Sequence, residues 1–134
     1  KLEEFFRDHD NVRVFDGDAT RNFRALVQPS LDAGVAVEEI FINFPDPWFK
    51  ARHKKRRVLT ERFVRDVRTW IPPTTRWIFQ TDQRQLFEDT VEMLRANGIT
   101  PAFFVSPPHD ATTKWEDAKV AAGATIYRCM FTLS

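Results

Sequence analysis

The chain has 134 residues, 43% of them hydrophobic and 13% aromatic, which suits one globular domain and is too apolar for a disordered chain. Four glycines, eight prolines and 29% charged residues exclude collagen-like and low-complexity classes, and no apolar run approaches the roughly 18–20 residues of a membrane helix. Net charge is only +1, yet Lys50, Arg52, Lys54, Lys55, Arg56 and Arg57 put six cations into eight residues, so the other 126 carry −5; such a patch on a mildly acidic body suits a polyanion, nucleic acid before an anionic membrane surface.

Leu2, Phe5 and Phe6 recur at helical spacing, so residues 1–9 read as the end of a helix, and KLEEFFRDHD has no signal-peptide core. Val12–Phe15 reads as a short strand closed by Asp16-Gly17-Asp18. Ala19–Val27 follows as a helix with Phe23, Leu26 and Val27 inward, stopped by Gln28-Pro29. Val37–Phe44 is the next strand, and its apolar run Ile40–Phe44 predicts cover on both faces. Beyond the basic stretch, Leu59, Phe63, Val67 and Trp70/Ile71 mark an amphipathic helix that ends at Pro72-Pro73.

Trp77–Gln80 is a further buried strand, after which Thr81-Asp82 can cap a helix with Phe87, Val91 and Leu94 inward, ended by Asn97-Gly98. Ala102–Val105 and Thr125–Thr132 are strand-like and flank a turn-rich segment with no crossover helix, which predicts a hairpin. Strand and helix alternating before that hairpin argue for an α/β fold, an open, mostly parallel sheet with an antiparallel C-terminal edge. In such sheets ligands bind beyond the carboxyl ends of the strands, here Asp16–Ala19, Phe44–Lys50 and Thr81-Asp82. The single Cys129 leaves no disulfide framework or Cys-rich zinc site, fits a reducing, cytoplasmic compartment, and reads as a small apolar residue of the last strand.

The strongest local signal is Asn43-Phe44-Pro45-Asp46-Pro47-Trp48. Two prolines fix the backbone around Asp46 and remove two amide donors. A carboxylate held at a strand end beside an indole suits a flat heterocycle that donates N–H groups, although a turn with a capping Asp and a packing Trp uses the same residues. Phe49–Arg57 then sets basic and imidazole side chains where a phosphate backbone could drape over the mouth of that loop; a solvated helix start is the plainer alternative. His9-Asp10 and His109-Asp110 lack any further metal-ligand spacing. Trp70 and Trp77 read as core, whereas Trp48 and Trp115 stand where they could stack on bases.

The string NFPDPWFKARHKKRR, preceded by NVRVFDGDA and followed in order by TD at Thr81-Asp82 and TKWE at Thr113–Glu116, resembles the tRNA (guanine-N7)-methyltransferases. The resemblance runs from about Asn11 to Phe131, with Trp115 where that family usually has Phe. It implies a Rossmann-like fold, one methyltransferase domain over residues 1–134, S-adenosylmethionine as cofactor, tRNA as partner, and methyl transfer to N7 of a variable-loop guanine. Position by position, it implies that Asp18 and Asp46 border the cofactor and that Asp46 is catalytic. Lys50, Asp82, Thr113, Lys114, Trp115 and Glu116 would bind substrate, and Arg52, His53, Lys54, Lys55, Arg56 and Arg57 would contact RNA.

The chain departs from the family pattern in three places. A first strand with its glycine-rich loop and a second strand ending in a ribose-binding acid are not found, so the chain is expected to correspond to the C-terminal portion of the domain and to be poorly stable and inactive alone. WIPPTTRW lacks the glycines usual before the TD strand, and DAKVAAG departs from the usual Arg-containing continuation of TKWE. Two other readings stay open: an RNA-binding module that has lost its cofactor half, and a related methyltransferase with another acceptor.

Overall fold

The computed structural model describes residues 8–134, so the helix end expected at residues 1–9 lies almost wholly outside the described residues. Strands β1 (Glu39–Asn43), β2 (Arg76–Thr81), β3 (Ala102–Phe104) and β4 (Tyr127–Phe131) form one sheet in the order β1-β2-β4-β3. β1 and β2 are parallel, and β4 is antiparallel to both β2 and β3. Three strands therefore run the same way with β4 inserted against them, the Rossmann-like arrangement expected, although only one of the three pairings is parallel.

The helices are α1 (Ala19–Asp32), α2 (Glu61–Val67), α3 (Arg84–Ala96) and α4 (Lys114–Ala121). α1 runs through Pro29, past its expected end. Proline deletes only the bond to the Ala25 carbonyl, its ring is on the solvent side, and the Ala33 amide still closes the turn on the Pro29 carbonyl at 3.1 Å. The last two strands pair as expected, but α4 lies between them. Its start is set by Thr113, whose hydroxyl accepts from the Glu116 amide, with Glu116 and Asp117 in the first turn.

Two expectations fail at the sheet edge. Val12–Phe15 joins no ladder among the described residues, because extended backbone becomes a strand only where a neighbour takes up its hydrogen bonds. β1 is not covered on both faces: as an edge strand it buries Ile42, while Phe41 is 40% exposed and Asn43 is open. The central strand β2 is buried along Trp77–Thr81.

Alternation along β2 sends Trp77 and Phe79 to one face and Ile78 and Gln80 to the other. Against Trp77, Phe23 of α1 packs with Phe63 of α2 and with Trp70, ring centroids 5.4–5.7 Å apart. Leu26, at the margin of the α1 stripe, stays 45% exposed. Gly98 ends α3 with φ of 75°, a conformation that a Cβ disfavours.

Cys129 is fully buried in β4, and burial pushes its thiol up to about 12. The folded state thus keeps a proton that the unfolded state loses above about pH 9, so stability falls as pH rises from there, by up to about 1.4 kcal/mol per pH unit. Native protein at pH 8 is expected to resist iodoacetamide until unfolded in urea. Full alkylation of native protein at the rate of a free thiol would contradict that burial.

Candidate functional site at the carboxyl ends of the strands

The Phe44–Trp48 loop leaves β1 under strain. Phe44 and Trp48 have φ of 51° and 43°, each in a left-handed conformation that costs about 1–3 kcal/mol for a residue with a Cβ. Surrounding bonds hold both ends. The Phe44 amide donates to the Gln80 carbonyl at 2.8 Å, the Trp48 amide to Asp46 Oδ1 at 3.1 Å, and Arg57 Nε to the Pro47 carbonyl at 2.7 Å. Trp48 also meets the Arg56 guanidinium 5.3 Å above its ring and the His53 ring edge-on at 5.7 Å. Asp46 is left exposed at the crest of a loop fixed on three sides.

The cations downstream divide by environment along a 3-10 turn, Ala51–Arg56. Lys50, Arg52 and Lys55 are exposed and, among the described residues, meet no acidic side chain. Lys54 stands 3.7 Å from Asp89 and is half exposed. Arg57 differs from the expectation of an RNA-facing side chain: only 9% exposed, it binds Asp89 of α3 at 3.0 Å as well as Pro47. Its Nη2 is buried without a partner. A guanidinium so enclosed clamps the loop to α3 rather than presenting itself to solvent. Asp89 is subject to desolvation that raises its pKa, but bonds from Gln85 and Arg57 outweigh it, and the carboxyl lies below its ordinary value.

Asp18 caps α1. Thr20 Oγ1 and the Arg21 amide both donate to its Oδ1, at 2.7 and 3.1 Å, and with the Thr20 bond foremost they hold the carboxyl below its usual value. Asp18, Arg21, Trp48, Lys55 and Arg57 line an open groove of about 880 Å³, which brings the first and second strand-end segments to one place.

The third segment is built differently from expectation. Thr81-Asp82 is not the cap of α3: Gln83 is, and it makes no side-chain cap bond. Thr81 Oγ1 accepts from the Gln83 amide, while Asp82 is met by Gln83 Nε2 at 3.2 Å and Lys119 Nζ at 3.5 Å. Lys119 in turn lies 4.7 Å above the Trp115 ring, so α4 and the end of β2 join through a residue that no motif had marked. Within TKWE, Lys114 and Trp115 are exposed, whereas Glu116 is buried against Arg128 of β4. Arg128 was also missed, its only cue being an arginine inside the apolar run Tyr127–Phe131. His109, considered as a metal ligand, instead bonds Glu39 at 2.8 Å and is the main cause of that carboxyl's lowered pKa. Among the described residues no three His, Cys, Asp or Glu side chains group as a metal site, and no helix is long and apolar enough to cross a membrane.

A Rossmann-like α/β sheet with a strained, proline-locked acidic loop at a strand end, beside a basic turn and an open groove, places this chain in the α/β class with its candidate site at the carboxyl ends of the strands. Residues 3–129 match the family described as "Putative methyltransferase", and the chain belongs to that family. It is 36% identical over 126 residues to a protein of Caulobacter sp. (strain K31), covering 87% of this chain and 52% of the relative. It is also 36% identical over 124 residues to one of Exiguobacterium sp. (strain ATCC BAA-1283 / AT1b), and 32% identical over 124 residues to one of Exiguobacterium sibiricum, each covering 88% of this chain and 55% of the relative. All three relatives are named tRNA (guanine-N(7)-)-methyltransferase. The chain spans about half the length of the curated relatives it matches.

Proposed function

We propose that this chain contributes the acceptor side of a cytoplasmic tRNA (guanine-N7)-methyltransferase, which moves a methyl group from S-adenosylmethionine to N7 of a variable-loop guanine. The observation that carries the reading is the exposed carboxylate of Asp46 on a loop held in a strained conformation next to unpaired cations. Guanine N7 has an in-plane lone pair and needs no deprotonation, so the protein's task is alignment and electrostatic stabilisation. When bound, the cofactor's sulfonium supplies an already activated methyl group.

Asp46 accepts N–H groups of the base and offsets the positive charge that methylation places on the ring. Asp18 suits the adenosine end: both bonds to the Thr20 hydroxyl and Arg21 amide fall on Oδ1, and Oδ2 has the chemistry to accept from an exocyclic amino group. Lys50, Arg52 and Lys55 hold phosphates, while Trp115 and Lys114 face the acceptor from α4. Incubating the intact protein with tRNA and labelled cofactor, then digesting to nucleosides, tests the reading: 7-methylguanosine supports it. Methyl label in another nucleoside makes the acceptor a different one, and RNA binding without cofactor binding makes the protein an RNA-binding module.

Because Lys54 leans on Asp89, the free cations Arg52 and Lys55 are the better probes of phosphate contact. Replacing both by Ala is expected to lower the slope of log K against log salt by about 1.4–1.8 and to weaken different tRNAs alike. An unchanged slope would remove both from the RNA interface.

A further inference from the structure

We infer that Arg128 is a positioning residue that locks the acidic loop after β1 to the first turn of α4, through a chain of polar side chains spanning three strands, buried at Arg128 and Gln80 and open at Asn43. The inference rests on the methyl-transfer reading for what is positioned, and on geometry alone for the coupling.

Asn43, Gln80 and Arg128 stand directly opposite one another in the register of β1, β2 and β4. One row of the sheet is therefore polar, whereas the row two residues along is Phe41, Ile78 and Met130. Along the polar row Arg128 Nε donates to Gln80 Oε1 at 2.8 Å, and Gln80 Nε2 donates to Asn43 Oδ1 at 2.7 Å. The other two guanidinium nitrogens reach the Val105 carbonyl at 3.1 Å and the Glu116 carboxylate. Arg128, Gln80 and Glu116 are each at most 5% exposed.

A planar group with all three nitrogens bonded to three different segments fixes their mutual angles, which a flexible ammonium cannot do. Two of those segments bear on the site, and Gln80 extends the link to a third at Asn43. Glu116 lies in the turn that carries Lys114 and Trp115. Gln80 immediately precedes Thr81-Asp82, and its backbone carbonyl also takes the Phe44 amide at 2.8 Å. Asn43 is the last residue of β1 before the strained loop. The root of the Asp46 loop is thus held by Gln80 twice, by side chain and by backbone, and Gln80 is oriented by Arg128. With its nitrogens engaged inside the protein, Arg128 meets no substrate. Glu116, bound to it, serves as the anchor of the motif rather than as its substrate-facing group.

Stability alone does not call for this arrangement, since an apolar set of similar volume often packs as well as a buried ion pair. Its consequence is geometric: misplacing a reacting group by about 1 Å can cost about a hundredfold in rate.

The test uses the intact protein with Gln80→Met, which cuts the chain but keeps the ion pair, and Arg128→Lys, which keeps the charge but loses the fork. Both are expected to lower kcat about 10–100-fold, with KM for cofactor and tRNA within about threefold of wild type. Hydrogen exchange is expected to quicken in residues 44–48 for both, and in 113–116 for Arg128→Lys. Wild-type kcat in a folded variant, a loss confined to KM, or unchanged exchange in residues 44–48 would overturn the inference, as would rescue of kcat by Arg128→Lys. If Arg128→Lys fails to fold, Gln80→Met decides by the same criteria. Absence of 7-methylguanosine from the wild type in the same assay strikes the functional reading instead, and the exchange measurement still decides whether the coupling exists.

Discussion

Asp46→Asn in the intact protein is expected to lower turnover about a hundredfold or more, the scale of losing one preorganised electrostatic group, while tRNA affinity and melting temperature stay near wild type. The substitution is chosen for what it keeps. Asparagine retains an oxygen to accept from the Trp48 amide, the bond that Asp46 Oδ1 makes at 3.1 Å, and the flanking prolines and the Arg57 clamp are untouched. Only the negative charge and one acceptor geometry are lost. That charge matters most when the guanine ring turns cationic, so the loss belongs in kcat rather than in binding. Wild-type turnover at saturating cofactor and tRNA would exclude Asp46 from the chemistry.

Arg57→Ala is expected to destabilise the intact protein by about 2–3 kcal/mol, the worth of two charge-assisted, largely enclosed hydrogen bonds together with the packing of the arginine stem. Arg52→Ala, at an exposed position of the same run, should cost no more than about 0.5 kcal/mol. Urea unfolding of the two variants side by side gives the comparison, and equal costs would contradict the inward placement of Arg57. The pH dependence has a definite sign. Asp89 has a folded pKa below its ordinary value of 3.8, so its contribution is fully present above that pH and is lost as pH falls through the folded value. The gap between wild type and Arg57→Ala is therefore expected to narrow below about pH 4, as the partner of Arg57 takes up a proton. In salt titrations with tRNA, Arg57→Ala should leave the slope unchanged, in contrast with the Arg52 and Lys55 pair.

The amino-acid sequence by itself determined the features whose physics is local. Pro45 and Pro47 stiffen the residues beside them, and Gly98 ends α3. These effects act within about four residues, and they carry the motif that marks the family. Apolar periodicity, also a property of neighbours, marked β1–β4 and α1–α3 but not α4, whose one buried residue is Glu116.

What the sequence left open depends on partners far along the chain. Whether Arg57 faces RNA or Asp89 was decided by a contact 32 residues away, and the embedding of Glu116 by β4. The expected strand at Val12–Phe15 fails for the same reason, since its residues have the right propensity but pair with no strand among the described residues. Lys119 and Arg128 gained their importance only when α4 folded over the carboxyl end of β2 and the amino end of β4. A charged side chain reads alike in sequence whether it meets water or a buried carboxylate. Its role is set by which environment tertiary packing brings to it, because burial turns a solvated charge into one that must be paired.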